Sequence, residues 1–492
     1  MQLIKEKTEN LFSSYRINYL LGVFFLIRLM SFLWFSQLVV QNILSGVTIV
    51  LFVYLYYKNP KYSWYVLIGE LFIAGSGQYL KLFGLSIRSL LFIFFSGLAC
   101  LHQFFFQHFF QKQKINTKAL AIFGLVFVTL GFYTLLGYIN GHGIESIRDA
   151  IPFAYLFLFF PAYYLMETKT DGKKLLEFLI IFVLGTAIFS LFTFILFSSG
   201  FVELQEPFYN WFRDVNFGKI TNMGSGFFRI VEQSHILVTP IILIISSLLM
   251  DQKKRHIIWN ILLIASLLIF VLNLSRDYML ALAGGFVILL FKHSWKSWLK
   301  VTTTTLVQAM LIFVLINFTA SRGQILGLGL FEGRVTSITQ PESQLSSRIR
   351  MILLPEIIDK FMKNPIIGTG LGATLEVPKL DKTTPEFDWG YFEMLVEFGI
   401  LGTTVMIGSL LSLVWEMVKK IYYLKENYSF LLGIFAGLAA LGAINVTEPA
   451  LFHLFGVVYI VLATVVTIKY SQIKGKVGNI TNKIFSREEV QK

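Results

Sequence analysis

Runs of about 20 apolar residues alternate with short polar segments along most of the chain, and each run is long enough to cross a bilayer. The apolar residues within a run are continuous instead of alternating with polar ones, which indicates helices and not membrane strands. The predicted fold is therefore all-α, a polytopic helical membrane protein with about fourteen transmembrane helices, and twelve as the lower bound. The predicted spans are residues 17–35, 38–57, 64–80, 89–110, 119–139, 150–166, 175–199, 233–250, 257–273, 278–291, 301–319, 389–415, 430–447 and 451–468. The run at 278–291 is short, and a re-entrant or tilted segment is the alternative there.

Two segments between predicted spans, 200–232 and 320–388, are too long to be simple turns, and long ordered loops usually carry function. The second segment separates two groups of spans. The predicted organisation is a transmembrane region at 1–319 with about eleven spans, a large extracytoplasmic loop at 320–388, C-terminal transmembrane helices at 389–470 and a cytoplasmic tail at 471–492.

The large loop is predicted to contain a helix from Gln344 to Lys363, with Pro355 as a kink or break and the turn Asn364-Pro365 after it. Its apolar residues recur at helical spacing, so we expect the helix to lie on the membrane surface. These residues are Ile349, Ile352, Leu353, Ile357 and Phe361.

Composition and charge support this class of protein. Hydrophobic residues make up 55% of the 492 and charged residues only 14%, which excludes a water-soluble globular protein. The net charge of +13 comes from short basic clusters between apolar runs and not from one basic domain, so no nucleic-acid partner is expected. Every short segment on one side of the membrane is basic, for example Lys253, Lys254 and Arg255. The positive-inside rule therefore predicts that both termini are cytoplasmic and that the large loop is on the outer face.

Several kinds of site are excluded. The single cysteine, Cys100, can form neither an intramolecular disulfide nor a cysteine metal site. No second histidine stands at ligand spacing from His235, so zinc is not expected, and no cofactor is predicted. The run Gly368-Thr369-Gly370-Leu371-Gly372 follows a predicted helix and Asn-Pro instead of a strand, which excludes a dinucleotide-binding fold.

Polar and ionisable residues at membrane depth are costly, so each one is a functional candidate. Most of them collect on the predicted outer side. They are Arg229, Glu232, His235, Arg276, Asp277, Arg348, Arg350, Asp388, Tyr391, Glu448 and His453. Two others, Arg28 and Glu70, lie apart from this group in the sequence and are interpreted as structural partners of neighbouring helices.

Four of the outer residues are arginines, which require an anionic ligand in a compartment without ATP. Guanidinium groups bind phosphate oxygens bidentately and stay charged at any physiological pH, so a lipid-linked diphosphate fits. Other interpretations remain open: Arg276 can pair with the neighbouring Asp277 or extend to the surface, and Arg348 and Arg350 can occupy a solvated helix face.

Glu232 and His235 are three residues apart, so on a helix they share a face and can polarise an acceptor hydroxyl. A histidine that is satisfied by packing is the alternative. Sequence spacing does not distinguish the two.

Three segments of the second half carry a resemblance to a known family. They are Leu274-Ser275-Arg276 before a span, Ser347-Arg348 on a helix ending in Asn364-Pro365-Ile366-Ile367-Gly368-Thr369-Gly370-Leu371-Gly372, and Gly390-Tyr391-Phe392-Glu393-Met394-Leu395-Val396-Glu397-Phe398-Gly399. In this order, with a large outer loop between spans, the chain resembles the O-antigen polymerase and ligase superfamily over roughly Arg229 to Gly402.

The resemblance implies an integral membrane glycosyltransferase that uses undecaprenyl-diphosphate-linked glycans on the outer face of the bacterial inner membrane. It further implies that Arg276 binds the diphosphate, and that membrane lipids, a flippase and a chain-length regulator are partners. Ligases of this family place a histidine at the start of the span after the large loop, where this chain has Asp388-Trp389-Gly390-Tyr391. That segment, and Arg229 with Glu232-Gln233-Ser234-His235, resemble the polymerases, although Gln233 replaces their usual proline.

The predicted reaction is metal-independent and joins a growing glycan to a sugar hydroxyl of an incoming lipid-linked repeat unit of an O-antigen or capsule type. Arg276, Arg229 and Arg348 are expected to stabilise the leaving diphosphate. Glu232, His235 or Asp388 is expected to take the hydroxyl proton, and Tyr391 and Arg350 to contact glycan. The alternatives are a ligase that moves finished glycan to a lipid or protein, a lipid-linked glycan transporter, and a structural partner of an envelope assembly machine.

Overall fold

The protein is almost entirely helical in the computed structural model, which describes residues 15–73, 77–106, 117–166, 169–205, 207–251, 257–324, 326–340, 345–377, 382–385, 387–424 and 428–485. The helices are α1 Tyr15–Trp34, α2 Leu38–Lys58, α3 Pro60–Ile73, α4 Ile87–Phe106, α5 Thr117–Gly137, α6 Ile144–Ala154, α7 Phe159–Leu165, α8 Lys169–Ser198, α9 Pro207–Asn216, α10 Val238–Met250, α11 Ile257–Asn273, α12 Arg276–Leu289, α13 Trp295–Ala320, α14 Leu328–Thr339, α15 Leu345–Lys363, α16 Gly390–Tyr423, α17 Ser429–Ile444 and α18 Leu454–Phe485. The described ranges also contain three antiparallel hairpins: β1 Lys81–Leu82 with β2 Leu85–Ser86, β3 Lys219–Asn222 with β4 Phe228–Val231, and β5 Leu375–Val377 with β6 Lys382–Thr384.

Seven helices of the described ranges are long and apolar enough to cross a membrane, and four more helices (α4, α11, α17 and α18) contain shorter apolar stretches of 10–17 residues. This confirms the predicted all-α polytopic membrane fold. Helices α10, α12 and α17 pack against one another at the centre, with α11 between α10 and α8. We call the end of the bundle that carries α14, α15 and the β3–β4 and β5–β6 hairpins the loop face.

Two predicted spans are shortened or divided in the structure. The span at 64–80 ends early, because α3 stops at Ile73 and the β1–β2 hairpin follows; residues 74–76 lie outside the described part. The span at 150–166 is divided into α6, a 3₁₀ turn at Tyr155–Leu158 and α7. Pro152 and Pro161 lie in these helices, and proline lacks the amide hydrogen that a continuous α-helix requires.

Helix α16 is broken near its loop-face end. It has 34 residues and would be about 51 Å long if straight, against about 30 Å for the hydrocarbon core of a bilayer. At Gly399 the backbone takes φ 58° and ψ −173°, so the helical hydrogen bonds stop there. The carbonyls of Val396 and Glu397 instead accept from the amides of Thr369 and Gly370, both at 2.9 Å. The amides of the glycine run therefore satisfy the backbone carbonyls that the break leaves without helical partners.

The glycine run after α15 forms this contact because it lies directly against the backbones of two helices. Gly370 has φ 82°, and a Cβ atom on it would lie 2.1 Å from the amide nitrogen of Gly137 at the end of α5. The Leu371 amide donates to the Tyr133 carbonyl at 3.0 Å. These glycines therefore serve close backbone packing, which accounts for the motif without a phosphate ligand.

We predict that Gly370→Ala destabilises the protein by about 1–3 kcal/mol or more, because its positive φ and the backbone clash both oppose a side chain. Gly124→Ala is the matched control, since Gly124 lies within α5 with open space around its Cα. The thermal unfolding midpoint of each variant in detergent measures the effect. Equal midpoints for the two variants would contradict this account of the glycine run.

The loop helix is confirmed as α15, but the prediction that its apolar residues contact the membrane surface is wrong. Leu353 and Ile357 are fully buried, and Ile349, Ile352 and Phe361 pack around them. Their partners form a second, smaller core made by α15, the β5–β6 hairpin and the start of α16, and include Ala373, Leu375, Val377, Phe387 and Val396. The helical periodicity identified a buried face, and a periodic pattern does not say whether lipid or protein covers it. Pro355 lies within a helix that continues on both sides of it.

Candidate functional site

Three arginines from separate elements meet at the loop face. Arg229 is on β4, Arg276 is the first residue of α12, and Arg350 is on α15. We call these three residues the arginine cluster. The hairpin, the helix start and the loop helix are distant in sequence, so only the folded chain brings their positive charges together.

Each arginine is held by a neighbouring element. Arg229 Nε donates to the carbonyl of Asn273 at 2.6 Å, and Arg276 Nη2 donates to Ser347 Oγ at 2.7 Å. Arg350 Nη1 lies 3.5 Å from Asp277 Oδ2, and both side chains are largely buried. These contacts order the guanidinium groups before any ligand binds.

The cluster keeps unused hydrogen-bonding capacity. Arg350 Nε is buried and donates no hydrogen bond to any residue in the described part of the chain. A buried donor without an acceptor is costly, so such atoms commonly mark a ligand position. Burial lowers the pKa of Arg229, whereas Tyr278, Glu448 and Asp277 nearby oppose that shift, and the guanidinium remains charged at physiological pH.

Backbone strain marks two segments of the site. Leu274, just before Ser275 and Arg276, has φ 45°, and Asp388, just before α16, has φ 54°. Non-glycine residues rarely adopt this left-handed conformation, and strained residues of this kind cluster at functional sites.

Glu448 lies beside the arginine cluster, in the turn between α17 and α18. It interacts electrostatically with Arg229, Arg350, Asp277 and Asp388. Burial raises the pKa of its carboxyl, as do Asp277 and Asp388, while the two arginines lower it. A carboxylate whose pKa is raised accepts a proton more readily than an ordinary one. The sequence places Glu448 among the outer polar residues but gives no reason to prefer it.

Glu232, predicted as a catalytic residue, is instead bound to Arg28. Arg28 Nη1 and Nη2 donate to its two carboxylate oxygens at 3.2 and 2.9 Å, and both residues are buried. His235 is fully buried, its Nδ1 lies 3.3 Å from the Glu232 amide and its Nε2 lies 3.4 Å from Ser190 Oγ. In this arrangement Glu232 and His235 hold the hairpin to α1 and α8. The sequence predicts that Arg28 is a structural partner of a neighbouring helix. In the structure it binds Glu232, which is a residue of the predicted site.

Three other residues of the predicted site, Asp388, Arg348 and Tyr391, lie in different surroundings. Asp388 is half-buried and interacts electrostatically with Glu448. Arg348 is exposed, because residues two apart on a helix face different ways and Arg350 already points inward. The Tyr391 hydroxyl donates to the Gly442 carbonyl at 2.8 Å and so joins α16 to α17.

Two carboxylates that sequence reasoning did not select extend the site beyond Asp388. Glu393 on α16 interacts electrostatically with Asp388 and with Asp149 on α6. The arginines therefore lie at one end of the loop-face site together with Asp277 and Glu448, and Asp388, Glu393 and Asp149 extend the site away from them. Glu393 lies in the motif that carries the family resemblance, whereas only the fold brings Asp149 to it.

Glu397 completes the connection to the glycine run. Its Oε1 accepts from the amides of Gly372 and Ala373 at 2.9 and 3.2 Å. No group of three or more histidine, cysteine, aspartate or glutamate side chains in the described ranges is arranged to hold a metal ion.

Comparison with protein families gives one match. Residues 261–407 match the family model described as O-Antigen ligase, which is less than half of the chain. This supports the superfamily of O-antigen ligases and polymerases, whose members are glycosyltransferase-like enzymes, and does not distinguish the two branches. The matched region includes Arg276, Arg350 and Asp388 but neither Arg229 nor Glu448. No curated protein matches the chain.

Proposed function

We propose that this protein is a polysaccharide polymerase that joins undecaprenyl-diphosphate-linked repeat units on the outer face of the bacterial inner membrane. The observation that carries the proposal is the arginine cluster, in which Arg229, Arg276 and Arg350 meet with a buried, unsatisfied Arg350 Nε. Fixed guanidinium groups in a partly dry site are suited to a diphosphate, since they bind phosphate oxygens bidentately.

The arginine cluster binds the diphosphate of the donor, a glycan still attached to its carrier lipid. A hydroxyl oxygen of the acceptor sugar attacks the anomeric carbon of the donor, and the bond from that carbon to the diphosphate oxygen breaks. The diphosphate leaves with the bonding electron pair, and the three arginines stabilise the negative charge that develops on it. The hydroxyl proton passes to a carboxylate that lies beside the arginine cluster.

Glu448 is the carboxylate that we assign as the general base, in place of Glu232. It interacts with two arginines of the cluster and with Asp388, whereas Glu232 is neutralised by Arg28. Asp388 then assists, either by orienting the acceptor or by exchanging the proton.

This assignment predicts a pH dependence. Only ionised Glu448 accepts a proton, so activity should fall as the pH drops through its raised pKa and stay high above it. Glu448→Gln should lower kcat by about 10²–10⁴-fold and remove that acidic limb from the pH profile. Glu356→Gln on α15 is a control outside the site. Retention of the acidic limb in Glu448→Gln would refute the assignment.

We prefer a polymerase to a ligase because this chain has Asp388-Trp389-Gly390-Tyr391 where ligases of the family have a histidine. A ligase is the second candidate, since the matching family is described as O-Antigen ligase. The purified protein in vesicles, supplied only with lipid-linked repeat units, should produce a ladder of longer lipid-linked glycans. A ligase would leave single units unchanged until a different lipid or protein acceptor is added.

A further inference from the structure

The turn between α17 and α18 carries Glu448 and is closed by a side chain. Asn445 is the first residue after α17, and its Oδ1 accepts from the amide of Leu451 at 2.9 Å. This bond spans the segment that contains Glu448, whose own amide donates to the carbonyl of Ile444 at 3.1 Å. Asn445 and Leu451 are both fully buried. The position of Glu448 therefore depends on one buried amide side chain.

The same residue lies against the start of α16. A Cβ atom on Gly390, the first residue of α16, would lie 2.7 Å from the carbonyl oxygen of Asn445 and 2.9 Å from its Nδ2. Gly390 follows Asp388 by two residues, and Asp388 interacts electrostatically with Glu448. Close contact between Gly390 and Asn445 thus sets the separation of two carboxylates of the site.

The other side of the turn is packed equally closely against α18. A Cβ atom on Gly456, in the first turn of α18, would lie 2.2 Å from the carbonyl oxygen of Ala450 and 2.5 Å from that of Leu451. The turn is therefore held between the starts of two helices. A change in its internal hydrogen bonds must move Glu448, because the neighbouring backbones leave no space for the other residues to adjust.

The choice of asparagine at this position has an electrostatic reason. Its Nδ2 is buried and has no acceptor in the described part of the chain, which is costly. Aspartate would supply the same acceptor oxygen without the unpaired donor, but it would add a negative charge to the turn of Glu448. The charged groups that interact with Glu448 are Arg229, Arg350, Asp277 and Asp388. A neutral amide closes the turn and leaves this balance of charges unchanged.

We propose that Asn445 is a positioning residue of the reaction, which holds the turn against Gly390 so that Glu448 stays beside Asp388 and the arginine cluster. This inference rests on the proposed function, because Asn445 acts through the carboxylate assigned there as the general base. Asn445 lies outside the region that matches the family model.

Asn445→Ala removes the acceptor for the Leu451 amide and tests the proposal by kinetics. A misplacement of about 1 Å lowers rates on the order of 10²-fold, so we expect a loss of that size in kcat per folded molecule. KM for the lipid-linked repeat unit should change little, because the arginines that bind its diphosphate stay in place. Asn59→Ala is the matched control, since Asn59 Oδ1 accepts from the Lys61 amide at 3.0 Å in the turn between α2 and α3. A wild-type kcat in Asn445→Ala would overturn the proposal.

Chemical labelling of Glu448 measures its surroundings without turnover. Dicyclohexylcarbodiimide modifies protonated carboxyls, so the rate of labelling of the Glu448 peptide, followed by mass spectrometry against pH, gives the pKa of this carboxyl. Burial is the largest cause of its raised pKa. Asn445→Ala and Gly390→Ala should let the turn move towards water and shift the labelling midpoint to lower pH, towards that of an exposed glutamate. Asn445→Asp keeps the acceptor oxygen, so its midpoint should not fall below that of the wild type.

The two measurements separate this inference from the proposed function. An unchanged midpoint in both Asn445→Ala and Gly390→Ala would overturn the inference, even if less of each variant folds, because a merely structural role changes the amount of protein and not the surroundings of Glu448. A shifted midpoint in a protein whose wild type makes no polymer would support the positioning of Glu448 by Asn445 and count against the proposed reaction alone.

Discussion

Arg276→Ala should abolish chain extension while the protein still reaches the membrane in normal amounts. Arg276 starts α12 and is held by Ser347 at the point where the diphosphate is proposed to bind. Loss of one preorganised cation from a site that stabilises developing charge typically costs about 10²–10³-fold in kcat, and these residues act as a unit. Product chains separated by gel from membranes of the variant strain measure the effect.

Two further variants test whether the loss of activity is specific to the guanidinium group of Arg276. Arg276→Lys keeps the charge but loses the bidentate fork, so partial activity would show that charge contributes more than geometry. Arg213→Ala is the matched control, because Arg213 is an exposed arginine that pairs with its neighbour Asp214 and should be dispensable. Normal polymer from Arg276→Ala would exclude the arginine cluster as the diphosphate site.

Arg28→Met should have the largest effect on stability. It would leave the Glu232 carboxylate buried without its partner, and breaking a buried pair from one side costs about 3–5 kcal/mol. We expect little folded protein in the membrane, measured by fluorescence-detected size exclusion and by the unfolding midpoint.

The double variant Arg28→Met/Glu232→Leu distinguishes a structural role of Glu232 from a catalytic one. Replacing both members of a buried pair with apolar residues often restores stability. If the pair only holds the hairpin to α1, the double variant folds and extends chains. A stable double variant with no activity would return Glu232 to the catalytic role that its sequence context suggested.

The fold was largely predictable because the membrane imposes its own pattern. Runs such as Lys174–Ser198 are apolar almost throughout and long enough to cross lipid, so the sequence identifies them as membrane helices without ambiguity. Whether protein or lipid covers a helix face depends on tertiary packing. The sequence pattern of α15 therefore predicts contact with the membrane surface, whereas Leu353 and Ile357 are buried against protein.

The candidate site was predictable only in part. Arg276, Asp277 and Asp388 stand out from sequence because charged residues beside apolar runs are rare. The pairing of Arg28 with Glu232 joins residues 204 positions apart, and no local pattern reveals it. Because of that pairing and of the proximity of Glu448 to the arginines, we propose Glu448 as the base in place of Glu232.

The most direct test of the central claim is a gel of carrier-lipid-linked glycans from a strain that lacks this gene, run beside its parent. The polymerase account predicts single lipid-linked repeat units alone in the mutant and a ladder of longer chains in the parent. Long chains that remain in the mutant, attached to the carrier lipid, would contradict it and identify a ligase.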